Sequence, residues 1–236
     1  MMDNLLGVYI FGSVARGERD ALSDLDLLAI VADGRGKVPE DVVLRYVPPQ
    51  LREMEASISW YGGNRLAEMF RNGELFAWHL HQETKPIFER EQVIAALGKP
   101  APYSGACEDV ASFEKILRAI PHQLITSPKN AVYELGLVYV CLRNICMAAS
   151  AVLCGRPDFS RYSPFALGGM LPIPLSRNEY ETAMACRMAG QRGIMPPLDV
   201  TPAKVTDIYD RLAPWITALR HRLEIKHGGI GETNEV

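Results

Sequence analysis

The sequence predicts an α+β chain: an N-terminal domain built on a mixed β-sheet, followed by an all-α helical bundle. Three observations predict it. Two apolar runs rich in branched residues, Leu5–Phe11 and Leu25–Val31, are bounded by turn residues, as strands buried in a sheet are. A Gly/Pro-rich stretch, Gly98 to Gly105 with Pro100 and Pro102, separates the first part from the second. Beyond it, long apolar-periodic segments open on helix-start signals: Ser127-Pro128, Ser176-x-x-Glu179 and Thr201-Pro202.

In order, the first strand ends in the turn Gly12-Ser13 and the second begins just after Asp24. A Gly/Pro-rich excursion from Asp33 to Pro49 leads to Met54–Trp60, whose alternation suits a third strand. Gly62-Gly63-Asn64 opens a helix through Phe70, Leu75 to Gln82 reads as another, and Lys85–Phe88 as a short closing strand. This divides the chain into a first domain at 1–98, a linker at 99–105 and a helical domain at 106–236. In the helical domain Glu108 to Ile120 is expected to end at Pro121. Ser127 is expected to cap a long helix that stops at Gly155, and the capping box at Ser176 to open a helix through Ala189. The last helix runs from Pro202 to about Lys226 with a bend at Pro214, giving four or five helices in all.

Composition narrows the function classes. The 236 residues are 48% hydrophobic and 22% charged, ordinary for a soluble globular protein. A net charge of −3 and a pI of about 6.0 create no global field toward nucleic acid, which disfavours a nucleic-acid partner. The five cysteines (Cys107, Cys141, Cys146, Cys154 and Cys186) form no CxxC pair and lie in apolar helical segments, so they read as reduced core thiols of a cytoplasmic protein. Met1-Met2-Asp3-Asn4 carries no basic signal region. Leu135 to Cys154 is long and apolar enough to span a bilayer, but Arg143-Asn144 near its middle makes it the central helix of a bundle instead, with no membrane partner.

The chemistry concentrates in Gly12-Ser13-Val14-Ala15-Arg16-Gly17 and, with ten residues between it and Ser13, in Asp24-Leu25-Asp26. Asp24 and Asp26 are two apart, so a strand presents both on one face. Paired carboxylates repel unless a cation sits between them, and oxygen-only ligation suits Mg²⁺ or Mn²⁺. Gly12 and Ser13 offer backbone N–H groups and a hydroxyl at a strand-to-helix turn, a favourable place for a triphosphate. Arg16 and Ser23 lie in the same stretch and are candidate phosphate-binding residues.

Gly-Ser, ten residues, then Asp-x-Asp between apolar residues resembles the signature of the nucleotidyltransferase fold of the DNA polymerase β superfamily. The form GSVARGERDALSDLDLLAI is most similar to its small bacterial members, the aminoglycoside nucleotidyltransferases and the minimal nucleotidyltransferases that partner HEPN proteins. The resemblance implies that Asp24, Asp26 and a third carboxylate hold divalent metal. It further implies that Gly12 and Ser13 contact the β- and γ-phosphates of ATP or another NTP. It implies a helix ahead of the Gly-Ser strand too; only four residues precede Leu5, so a C-terminal helix or a second subunit, as in a homodimer, is expected to cover that sheet face.

The third carboxylate is ambiguous. In Met54-Glu55-Ala56-Ser57-Ile58-Ser59-Trp60 one register puts Ser57 at the acidic position, and the other uses Glu55. Arg52 to Ile58 resembles the strand of the streptomycin/spectinomycin adenylyltransferases that bears their catalytic glutamate, which favours Glu55 as metal ligand and general base. By the same resemblance the bundle is HEPN-like or kanamycin-transferase-like and contributes basic residues for the triphosphate, with Lys129 and Arg143 as candidates. An Arg inside an apolar helix needs a partner, here a buried carboxylate or a ligand phosphate. Arg143-Asn144 is also similar to the start of the HEPN ribonuclease motif, but Ala148-Ala149-Ser150 supply no histidine. His79 and His81 read as helix-surface residues, Trp78 and Trp215 as core.

The reaction so implied is transfer of a nucleoside monophosphate, AMP from ATP, to the hydroxyl of an aminoglycoside-like acceptor. Two alternatives stay open: a protein-modifying or antitoxin-type nucleotidyltransferase with a protein partner, and a nucleotide-binding interaction module of weak activity.

Overall fold

The computed structural model describes residues 4–20 and 23–228, which form two compact units, Met1–Ser104 and Gly105–Val236. The first is built on four strands, β1 (Leu5–Phe11), β2 (Leu25–Val31), β3 (Ala56–Gly62) and β4 (Lys85–Glu89), in the order β3-β2-β1-β4. β1 pairs antiparallel with both β2 and β4, whereas β2 and β3 run parallel, so the sheet is mixed. The interior strands β1 and β2 are the two continuous apolar runs, as burial on both faces demands. The edges are more polar: β3 carries Ser57 and Ser59, and β4 tolerates Pro86 because an edge strand can do without one ladder donor.

A parallel β2–β3 pair requires a crossover. The chain supplies it with α2 (Glu40–Leu44) and a 3-10 turn at Pro49–Leu51, two short elements inside what reads as a loop. Val38, Val43, Val47 and Leu51 of this crossover pack on Val8, Ile10, Leu25, Leu27 and Ala29. The face expected to need a second subunit or a C-terminal helix is therefore covered from within the unit. The opposite face, with Tyr9, Phe11, Leu28 and Ile30, lies under α3 (Gly63–Arg71), α4 (Leu75–Glu83) and α5 (Val93–Leu97) through Leu66, Met69, Phe70, Ala77, Leu80 and Ile94.

Three sequence expectations for this unit are corrected. β3 begins two residues later than Met54, because Met54 N–H still closes a turn on the Leu51 carbonyl (3.1 Å), and the ladder to β2 starts at Ala56. Glu55 therefore precedes the strand. Residues 99–102 are not a free linker: Ala101 N–H bonds to the Phe70 carbonyl (2.9 Å) and its own carbonyl accepts from Trp78 Nε1 (2.9 Å). Trp78 is half-buried by this strap instead of lying deep in the core.

The second unit comprises α6 (Ala106–Thr126), α7 (Ala131–Leu153), α8 (Ser163–Ala166), α9 (Arg177–Arg192) and α10 (Pro202–Gly228). α7 is the axis, with α6, α8, α9 and α10 packed around it. It is the one helix among the described residues with the length and hydropathy to cross a membrane, and 67% of its most apolar stretch is buried inside the fold. At Gly136 a Cβ would lie 2.9 Å from the Arg187 backbone nitrogen, so the glycine lets α9 approach closely. α6 runs through Pro121 instead of ending there. The lost backbone bond costs about 3 kcal/mol in a helix interior, and burial of Leu124 with Leu117 and Ile120 on one stripe offsets it. Ser127 starts a short 3-10 turn, Pro128–Asn130, without a side-chain cap. The capping box at Ser176 and Glu179 forms as expected. Cys141, Cys146 and Cys186 are buried, but Cys154, at the C-cap of α7, is exposed and not a core thiol.

Candidate functional site

β1 leads straight into α1 (Gly12–Arg16), a five-residue turn of helix closed by Gly17 in the left-handed conformation. Gly12 itself has φ +72°, a region that penalises any side chain. A Cβ there would stand 2.5 Å from Asp26 Oδ2. Only glycine lets the backbone turn at this point while the Asp26 carboxylate lies against it. The register agrees: Phe11 pairs with Asp26 across β1 and β2. The Gly-Ser turn and the Asp-x-Asp strand are thus neighbours in space, with the spacing in sequence set by the loop that Ser23 closes through Asp20 (Ser23 Oγ to Asp20 Oδ1, 3.0 Å). Ser23 is used in that closure.

Asp24 and Asp26 share the face of Leu28 and Ile30. Those two residues are fully buried, whereas Asp24 and Asp26 are half-buried, so the helical cover ends between Asp26 and Leu28. Asp26 pairs with Ser57 in the parallel ladder, and parallel partners point to one face. A hydroxyl therefore stands beside Asp26 where a third carboxylate is expected in the first register. Glu55 lies one residue before β3. Its carbonyl accepts from Leu25 N–H (2.9 Å), which sets it at the Asp24 end of the sheet with its side chain exposed. Among the described residues, no three His, Cys, Asp or Glu side chains come together as a metal-binding group, so Glu55 does not complete a three-carboxylate cluster. Two carboxylates fit Mg²⁺ or Mn²⁺ only in company with substrate oxygens, the usual way Mg²⁺ is held at phosphate sites.

Arg16 is not a solvated charge. Its Nε bonds to Glu18 Oε2 (2.7 Å) and its Nη1 to Glu83 Oε2 (2.6 Å); the Glu83 side chain is 7% exposed. Despite the desolvation of Arg16, these carboxylates raise its pKa. Glu83 Oε2 also meets His79 Nε2 at 2.8 Å, and the His79 ring stands edge-on to Phe11, centroids 5.3 Å apart. His79 therefore faces inward. The overlooked signal was the i, i+4 spacing of His79 and Glu83, with Phe76 a turn earlier on the same helix face. Tyr61 packs on Phe76 on the Asp26 side of the sheet, while Trp60 lies on the other side beneath Lys37.

The basic candidates of the helical unit are placed differently. Lys129 is exposed in the 3-10 turn before α7. Arg143 is partnered within the bundle: its Nη2 donates to the Phe159 carbonyl (3.0 Å) and its Nε to that of Ser160 (3.4 Å). Glu114 is buried between Arg118 and Arg220, and Glu179 is held by Arg211, whose guanidinium draws its pKa down to about 2. Glu134, 4% exposed on α7, has its carboxyl pKa pushed above the ordinary value by burial.

Among solved structures, the spectinomycin adenyltransferase AAD(9) from Enterococcus faecialis, determined with ATP and spectinomycin, is similar at 12% sequence identity and a TM-score of 0.45, over 94% of this chain and 92% of that one. No curated protein matches the chain by sequence. The family model of the nucleotidyltransferase domain matches residues 3–94, the stretch that holds the four strands, the Gly12-Ser13 turn and the aspartate pair. The strand-bearing unit of this chain is a nucleotidyltransferase domain.

Proposed function

We propose that the protein transfers AMP from ATP to a hydroxyl group of a small, aminoglycoside-like acceptor. The observation that carries this reading is the contact of Gly12 with Asp26, which makes the phosphate-type turn and the aspartate pair one surface. The Ser13 hydroxyl and the turn amides are suited to the β- and γ-phosphates, and Arg16 offers a positive charge a few residues on. Asp24 and Asp26, with phosphate oxygens, would hold Mg²⁺ or Mn²⁺. When bound, the ion neutralises triphosphate charge and makes the acceptor hydroxyl more acidic. Glu55 is assigned as the general base: it is exposed at the Asp24 end of the sheet, where it can take the acceptor proton. The acceptor oxygen attacks the α-phosphorus in line, the bond to the β-phosphate bridging oxygen breaks, and pyrophosphate leaves.

Ser57 beside Asp26 favours a second reading, a domain that binds nucleotide without transferring it. Incubation with labelled ATP, Mg²⁺ and a panel of hydroxylated acceptors, on wild type and Asp26→Asn, separates the two. Label transfer lost in Asp26→Asn supports the transferase. Nucleotide binding with no transfer to any acceptor supports the binding domain.

A further inference from the structure

Glu83 and His79 belong to no motif, yet α4 uses them to grip both ends of the Gly12–Arg16 turn. On the far side, Glu83 Oε2 receives Arg16 Nη1 at 2.6 Å. On the near side, His79, whose Nε2 shares the same Glu83 oxygen at 2.8 Å, lays its ring edge-on to Phe11, the residue before Gly12. Phe76 closes the cage, 5.8 Å from Phe11 and 6.0 Å from His79 by ring centroids. Both polar members are sheltered, with side-chain exposures of 7% for Glu83 and 16% for His79. The second partner of Arg16 differs: Glu18 is 53% exposed. An exposed ion pair is weak and exchangeable, whereas a buried carboxylate between two donors is costly to disturb.

We infer that Glu83 and His79 are positioning residues for the nucleotide turn. They fix Phe11 and Arg16 so that Gly12 and Ser13 keep their conformation, and they leave Arg16 able to trade solvent-facing Glu18 for a phosphate oxygen. This inference rests on the nucleotide reading above. Its polarity is one-sided: the sheltered partner is permanent and the exposed one is released by the ligand.

The test is calorimetric titration with a non-hydrolysable ATP analogue and Mg²⁺, joined to amide hydrogen exchange across residues 13–17 in the free protein. Glu83→Gln keeps the shape but removes the charge that two donors share. It is expected to weaken analogue binding about tenfold, the scale on which supporting groups act, and to speed exchange at the turn above the rest of the unit. Because Glu83 acts in part through Arg16, the double variant Arg16→Ala/Glu83→Gln loses less affinity than the product of the two single losses. Unchanged affinity in Glu83→Gln, or losses that multiply in the double variant, would overturn the inference. If wild type binds no nucleotide, it is the nucleotide reading that fails. The brace then stands or falls on whether exchange at the turn accelerates selectively in Glu83→Gln. Should Glu83→Gln not fold, His79→Phe keeps the ring on Phe11 while removing the bond to Glu83. It is expected to shift affinity and exchange in the same direction by less; no shift in either overturns the inference.

Discussion

Charged side chains serve opposite ends in the two units. In the nucleotidyltransferase domain, Asp24 and Asp26 stand where the helical cover of the sheet stops, against a turn that only glycine can make. In the helical unit, Arg143 and the sheltered carboxylates make contacts that hold the fold itself. Arg143 ties down the carbonyls of Phe159 and Ser160, Glu114 bridges Arg118 and Arg220, and Glu179 joins a capping box to Arg211. The difference teaches how to weigh a charge found in an apolar segment. At a strand end, alternation fixes which face it leaves by, and partial burial keeps it at the surface of the sheet. Inside a helix bundle, the desolvated group must first satisfy itself, and backbone carbonyls of the adjoining loop serve as well as a ligand would.

Substitutions in each unit test that contrast. Glu55→Gln is expected to have the largest effect, lowering turnover by about 10²-fold or more while ATP–Mg²⁺ affinity in a binding assay stays within a few-fold. Equal loss of both would make Glu55 a ligand, not a base. Gly12→Ala should follow, because a methyl group meets the Asp26 carboxylate and the backbone sits at φ +72°. A destabilisation of about 1–3 kcal/mol in urea melts is expected, together with loss of nucleotide binding in the protein that remains folded. In the helical unit, Arg143→Ala should destabilise by about 1–3 kcal/mol, the cost of leaving the Phe159 and Ser160 carbonyls without their donor; analogue affinity is expected to change less than twofold. A loss of affinity without a loss of stability would make Arg143 a phosphate ligand.

The smallest effect is pH-dependent. The Arg211 guanidinium lowers the Glu179 pKa to about 2 from an ordinary value of 4.5. A carboxylate depressed in the folded state contributes its stability above the unfolded pKa and loses it as pH falls through the folded one. Stability from this pair is therefore full above pH 4.5 and fades toward pH 2. Glu179→Gln should flatten the acid limb of the stability curve over that window and leave its shape near neutrality unchanged.

Much of this architecture was legible in the residues. β1 and β2 begin and end where the apolar runs do, because interior strands need unbroken hydrophobicity, and the capping box at Ser176 carries its own geometry. What escaped was set by tertiary contact. α2 is five residues long behind Pro39, too short to show a helical period, and only its packing on Leu25 and Leu27 makes it a cover for the sheet. α6 continues past Pro121, and its extra turn buries Leu124 on the stripe of Leu117 and Ile120, a contact the local sequence does not show. In the site, local spacing made the Gly12–Asp26 neighbourhood readable. The register that seats Ser57 beside Asp26 depends on a ladder that starts at Ala56, and nothing within 54–60 announces that start. The partnership of Arg16 with Glu83 spans 67 positions and has no local signature.

The central claim is that the Gly12-Ser13 turn and the aspartate pair form a live nucleotide site. The most direct measurement is calorimetric titration of a non-hydrolysable ATP analogue with Mg²⁺ into wild type, Asp24→Asn/Asp26→Asn and Arg143→Ala, each checked for folding by thermal melt. Metal-dependent binding in wild type and Arg143→Ala, abolished in the aspartate variant at an essentially unchanged melting temperature, is the predicted result. Equal binding by wild type and the aspartate variant, both folded, would contradict it.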